Sequence, residues 1–261
     1  MQTPVRESIA TTARRATTRL RQLGYRGYYR LARVNYDREL VDRRNRTPAG
    51  SCRCYEPLNR HGTDEMLADL AACCGPTDVV YDIGANVGIY ALALASDGVD
   101  RRIVAFEPSP RVVDRLRANL RANGAVADRI DVRACGIGDE TGERPFYVST
   151  YPELSGFDRG SATRWEATVD EVVTVPIVRL DDLAGELPAP DTIKIDVEGA
   201  APAVVRGAQA TLDRHAPTLF VEIHEAGLAG DVPGETRQAI ADCGYTILDR
   251  DGYWRCEPRR S

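Results

Sequence analysis

At 261 residues, with 43% hydrophobic and 28% charged side chains, the chain has the composition of a folded globular protein, not a disordered or fibrous one. No apolar run approaches the roughly 18 residues that a membrane-crossing helix needs, and MQTPVRESIATTARRATTRL lacks the apolar centre of a secretory signal, so a cytoplasmic location is expected. The formal charge of −5 conceals a division: residues 1–46 hold twelve arginines against four acids, and the acidic remainder lacks the basic footprint of a nucleic-acid binder.

In chain order, residues 1–46 read as a basic helical extension and 47–261 as the body of the protein. Two readings of the extension stay open. Its arginines face water while an aromatic face packs, or the interleaved RQLGYRGYYRLARV lies weakly on an anionic membrane surface. A helix is expected over 62–74, starting at Thr63 or Asp64 and stopped by Gly75-Pro76. A strand over 79–83, a helix near 87–96, a strand over 103–107, a helix near 110–123 and a strand over 130–135 follow. Strands at 145–149 and 172–178 bracket a polar stretch at 150–170, which is a candidate lid. The alternation resumes with a strand over 191–196, a helix at about 202–213, a strand over 218–224, a helix near 234–243 and a hairpin turning at Asp251-Gly252. This rhythm predicts an α/β fold with a mostly parallel, doubly wound sheet.

The seven cysteines include no C-x-x-C pair and read as reduced thiols. The alternative, a zinc cluster of Cys52, Cys54, Cys73 and Cys74, lacks the common finger spacings.

The chemistry is expected at DIGANVG, residues 82–88, between the first parallel strand and its helix. A dinucleotide loop would carry glycine where Asn86 stands, so that a pyrophosphate can approach, and would not place Asp82 beside it. Both residues suit a ligand without phosphate. S-adenosylmethionine carries an ammonium and a sulfonium for Asp82 and nearby carbonyls, and a carboxylate for backbone amides left free in the loop. Glu107 ends the next strand, where an acid accepts both hydroxyls of a ribose; that feature alone fits NAD equally well.

DIGANVG at 82–88, AFEPSP at 105–110, and IKIDVEGA at 193–200 followed by VVRGA at 204–208 resemble the FkbM family of S-adenosylmethionine-dependent methyltransferases, over roughly residues 60–250. The resemblance implies a Rossmann-like class I methyltransferase fold whose seven-stranded sheet ends in an antiparallel hairpin. It also implies methyl transfer, most often to an oxygen of a sugar, polyketide or similar small molecule. By position it makes Asp82, Gly84, Asn86 and Gly88 the cofactor loop, Glu107 the ribose acid, and Asp196 a residue facing cofactor and acceptor. The family usually reads E-G-A-E where this chain has E-G-A-A, which puts the acceptor geometry near Ala201 in question.

Bases for an acceptor proton are expected outside the carboxyl ends of the strands: Asp196 and Glu198 after one, Glu222, His224 and Glu225 after the next. Asp196 with Glu222 or His224 also offers a site for a divalent cation, the less favoured route. Lys194 is the single lysine beside thirty-three arginines and sits in a strand expected to be buried. Alternation puts it on the side of Asp196, and a buried ammonium needs a partner there, in Glu198 or in the acceptor. The rival classes are an NAD(P)-dependent oxidoreductase and a non-catalytic interaction protein on the same scaffold.

Overall fold

In the computed structural model, residues 24–25, 27–96, 100–223 and 230–259 are described. The chain divides into two compact units, Met1–Arg43 with Tyr55–Leu58, and Arg44–Cys54 with Asn59–Ser261. The first contains a helix, α1, over 27–38, whose Ala32 and Tyr36 are buried while Leu31 and Val34 are exposed, as are Leu40 and Val41 beyond it. Tyr36 meets Tyr55 edge-on, and Asn35 holds the end of the helix by donating to the carbonyls of Val41 and Tyr55. The first part of the expected extension lies outside the described residues. Its expected end at 46 falls inside a strand, β1 (Arg43–Thr47), which forms a two-stranded sheet with β2 (Gly50–Cys54).

The second unit is built on a seven-stranded sheet. Its strands are β3 (Val79–Ile83), β4 (Arg102–Phe106), β5 (Ile130–Arg133), β9 (Thr192–Ile195), β10 (Thr218–Glu222), β11 (Tyr245–Asp249) and β12 (Tyr253–Pro258), in the order β11-β12-β10-β9-β3-β4-β5. All pairings are parallel except those of β12, which runs against both of its neighbours. The helices are α2 (Glu65–Cys73), α3 (Ile89–Ala95), α4 (Pro110–Ala122), α6 (Ala201–Arg206), α7 (Gln209–His215) and α8 (Val232–Asp242). On one face of the sheet Tyr81, Ile83, Ile193, Ile195 and Val221 join a core with Val204, Val205, Leu212 and Ile240 from α6, α7 and α8. Alternation sends Asp82 and Lys194 to the other face, where Lys194 lies against Tyr90 of α3 and Thr192 meets Cys74 after α2.

The helix expected over 202–213 is two helices. At the break, a Cβ on Gly207 would sit 1.8 Å from the carbonyl oxygen of Gly138, so the chain passes too close to a distant loop for a continuous helix with side chains. The strands near 145 and 172 are also longer than expected, and they pair with each other. β7 (Gly142–Ser149) runs antiparallel to β8 (Val169–Val178), which also pairs with β6 (Gly136–Ile137), in a separate three-stranded sheet. The stretch between β7 and β8 folds back on β7 through Tyr147 and Gly156, which exchange backbone hydrogen bonds, and contains a short helix, α5 (Arg159–Ala162).

Candidate active site

A cavity of about 430 Å³ opens at the carboxyl ends of β3, β4, β9 and β10, within the size range of small-molecule sites. Gly84, Asn86, Glu107, Asp196, Glu198 and Glu222 all line it, so six of the residues singled out in the sequence meet at one place. Asp82 and Lys194 lie behind it, almost fully buried, and Gly88 is the residue that precedes α3. His224 and Glu225 lie outside the described residues.

Lys194 ties the loop to β9. Its ammonium is 2.9 Å from Asp82 Oδ1 and 3.2 Å from Asp196 Oδ2, donates to the carbonyl of Gly84 at 2.9 Å, and sits 4.9 Å from the centre of the Tyr90 ring. Burial by itself would favour the neutral amine, but Asp196 and Asp82 outweigh it and hold the group above the ordinary lysine range. The partners expected for Lys194 therefore include Asp196, and the structure adds Asp82. Asp82, expected on the cation side of a cofactor, is 1% exposed and faces the lysine from the adjacent strand.

Gly84 has φ +81, and a Cβ there would lie 1.9 Å from the carbonyl oxygen of Asp196. Only glycine lets β3 and β9 end so close together. Three of the loop amides expected to be open to a ligand carboxylate are engaged within the protein. Gly84 N and Ala85 N both donate to the Phe106 carbonyl, at 3.0 and 2.9 Å, and Asn86 N donates to Glu107 Oε2 at 3.0 Å. The neighbouring strand end takes these donors because it stands within hydrogen-bond reach of the loop.

Glu107 is anchored at both oxygens, since Ser109 N donates to Oε1 at 2.9 Å while Asn86 N holds Oε2. Each oxygen keeps acceptor capacity toward the cavity. Burial pushes its carboxyl up to about 7; the Ser109 and Asn86 amides and Lys194 pull it back only in part. Glu198 is held differently. Its carboxylate pairs with the buried Arg164, from the stretch between β7 and β8, so that stretch is latched to the turn after β9. Ala201 does not line the cavity; it opens α6 and is buried in the apolar core.

Three further groups on the cavity wall were not singled out in the sequence. Arg60 pairs with Glu153 at 3.1 Å, and His61 Nδ1 is 2.9 Å from Asp64 Oδ2. Trp165 is 63% exposed, adopts φ 50 and ψ 36, and stacks near the Arg164 guanidinium. The available signal was local for one of them: His61 stands three residues before Asp64 at a helix start. Among the described residues no three His, Cys, Asp or Glu side chains are grouped to hold a metal ion, and Asp196 already faces an ammonium.

A mostly parallel seven-stranded sheet, whose one reversed strand lies next to the edge and whose cavity opens beyond the carboxyl ends of the parallel strands, defines the class I methyltransferase fold. The Methyltransferase FkbM domain matches residues 82–247, more than half of the chain. The chain belongs to the FkbM methyltransferase family. It is 30% identical to the 31-O-demethyl-FK506 methyltransferase FkbM of Streptomyces tacrolimicus, over 75% of this chain and 78% of that protein. It is also 30% identical to the hexuronic acid methyltransferase AglP of Haloferax volcanii, over 73% of this chain and 74% of that one. A third relative, the antimetabolite synthetase AmbE of Pseudomonas aeruginosa, is 28% identical over 62% of this chain, which spans only 9% of that much longer protein.

Proposed function

We propose that this protein transfers a methyl group from S-adenosylmethionine to an oxygen of a small-molecule or glycan acceptor. The observation that carries the reading is the loop after β3. Its amides at 84, 85 and 86 are spent on Phe106 and Glu107 and cannot donate to a pyrophosphate, while Glu107 presents two anchored oxygens to the cavity. Those groups suit a nucleoside better than they suit the diphosphate of a dinucleotide. The family supports the same ligand. Two relatives named for 31-O-demethyl-FK506 and for a hexuronic acid support an oxygen acceptor.

Glu107 would hold the ribose hydroxyls, Gly84 and Asn86 would shape the wall against the nucleoside, and Asp196 would face the cofactor's cationic part. When bound, S-adenosylmethionine supplies an already activated methyl group. The protein then has to align the acceptor oxygen and take its proton. Alignment alone is worth about 7–11 kcal/mol when the geometry is right. Calorimetry against S-adenosylhomocysteine and NAD separates this reading from an oxidoreductase; NAD binding without S-adenosylhomocysteine binding overturns it. Turnover against fractionated cell extract, with mass spectrometry locating the new methyl, identifies the acceptor.

We assign the second unit, Arg44–Cys54 with Asn59–Ser261, to the methyltransferase domain and the stretch 150–170 to the acceptor side of the cavity, where Trp165 is the residue to test. A tryptophan in the left-handed region carries about 1–2 kcal/mol of backbone strain that glycine would not. Trp165→Gly is expected to leave the melting temperature unchanged or raised while the KM for the acceptor rises several-fold. A fall in stability with unchanged KM would make it a structural residue.

The extension is expected to meet anionic vesicles weakly, through Leu31, Val34, Leu40 and Val41 set among arginines. No described helix is long and apolar enough to cross a membrane. Flotation with phosphatidylglycerol vesicles should lose the bound fraction on Leu31→Asp together with Leu40→Asp, and also in high salt. Equal flotation of parent and double variant removes the contact.

A further inference from the structure

The cavity wall carries a histidine whose surroundings are built to the same degree as those of Glu107. The loop before α2 is fixed from behind: Asn59 donates to the carbonyl of Arg46 at 2.8 Å, and its own oxygen accepts from His61 N at 3.2 Å. The imidazole is then held on two sides. Nδ1 lies 2.9 Å from Asp64 Oδ2, and the ring meets Tyr90 edge-on, with centroids 5.7 Å apart and planes at 88°.

Asp64 is the N-cap of α2, and its Oδ1 accepts from Leu67 N at 2.9 Å and from Tyr90 Oη at 2.7 Å. Burial alone would raise its carboxyl, but the bonds from His61, Leu67 and Tyr90 overcome this and hold it below the usual carboxylate range. An ionised carboxylate only accepts, so Nδ1 of His61 must carry the hydrogen. The lone pair of the neutral ring is therefore on Nε2. The same Tyr90 lies over the Lys194 ammonium, which joins this group to Asp196 across the cavity wall.

We propose that His61 Nε2 is the general base that takes the acceptor's proton, with Asp64 and Tyr90 as positioning residues. The inference rests on the methyltransferase reading and deepens it. In the step, the acceptor oxygen forms a bond to the methyl carbon of S-adenosylmethionine, and the carbon–sulfur bond breaks with its electron pair going to sulfur. The hydroxyl proton passes to Nε2 and leaves to water after product departs. His61 lies outside residues 82–247 that match the family domain, so the geometry of this chain alone assigns the role. Of the carboxylates expected as bases, Asp196 is engaged with Lys194 and Glu198 with Arg164, while Glu222 also lines the cavity.

The test uses the full chain and has two readouts. Long-range proton–nitrogen NMR, with His61→Gln to assign the signal, should show neutral His61 protonated at Nδ1. Asp64→Asn keeps an oxygen for the N-cap but turns a donor toward the ring, and should move the proton to Nε2 with the protein still folded. In transfer of radiolabelled methyl from S-adenosylmethionine to a desalted cell extract, His61→Gln should lose at least about 100-fold, the lower range for a positioned base. Its affinity for S-adenosylhomocysteine should stay within about threefold, and Asp64→Asn should fall in turnover with it. A parent protonated at Nε2, or a His61→Gln variant that transfers methyl at the parent rate, overturns the base. A parent with the expected tautomer that neither binds S-adenosylhomocysteine nor transfers methyl overturns the methyltransferase reading instead, and the base role with it.

Discussion

Replacing Lys194 by methionine is expected to lower stability by about 3–5 kcal/mol, the usual cost of removing one partner from a buried ion pair. The ammonium is 3% exposed and serves Asp82, Asp196 and the Gly84 carbonyl at once. Asp82 has no route to water, and its Oδ2 is already buried without a hydrogen bond among the described residues. Without the lysine, a carboxylate would be left between β4 and β9 with nothing to offset its desolvation. The double variant Asp82→Asn with Lys194→Met should recover a large part of the loss, because the charge that makes the single variant costly is gone. Chemical denaturation of the two variants and Asp82→Asn alone closes the cycle. A single variant within 1 kcal/mol of the parent would show that the pair contributes nothing net. Lys194→Arg should also suffer, since a planar guanidinium has to enter a space sized for one ammonium under the Tyr90 ring.

The same residue shows what the sequence discloses and what it withholds. That a lone lysine in a buried strand must find a carboxylate followed from alternation and the cost of an unpaired charge, and Asp196 two residues on was the natural partner. Asp82 was not, because its pairing depends on the register of β3 against β9, and those strands are far apart in the chain. The parallel strands were legible because a strand covered on both faces is apolar along most of its length, and the expected 79–83 matches β3 residue for residue. Where distant chain decides, pattern failed. Gly207 looks like an ordinary helix-interior glycine until the carbonyl of Gly138 is beside it. The glycine loop looked rich in free amides until Phe106 was found to accept two of them. β1 and β2 were hidden inside an arginine-rich stretch, where charge masks the few residues that are buried: Asn45, Cys52 and Cys54. His61 and Asp64 are a different case, since they are local. A histidine three residues ahead of an N-cap aspartate is visible in the sequence, but nothing local shows that the fold brings it to the strand ends.

Binding of S-adenosylhomocysteine is expected to strengthen as pH rises through about 7, and the cause is Glu107. In the ligand-free protein this carboxyl is pushed up to about 7 by burial, so near neutrality it is partly protonated. Ribose hydroxyls donate to an acid that can accept from both, which favours the ionised form and pulls the value down in the complex. The sign follows. Above about 7 the group is already ionised and affinity is flat; below it, each ligand bound must first expel a proton, so affinity falls. At pH 6 the loss relative to pH 8 should be roughly tenfold, one unit's worth of linkage. Calorimetry near pH 7 in two buffers of different ionisation enthalpy should register net proton release. Glu107→Gln should abolish both effects and weaken binding by about 1.5–3 kcal/mol, the value of hydrogen bonds to a charged group. Its amide nitrogen would also have to face the donating N–H of Asn86 or Ser109. Affinity that is the same at pH 6 and pH 8 in the parent would take the ribose away from Glu107, and with it the contact proposed between this cavity and the cofactor.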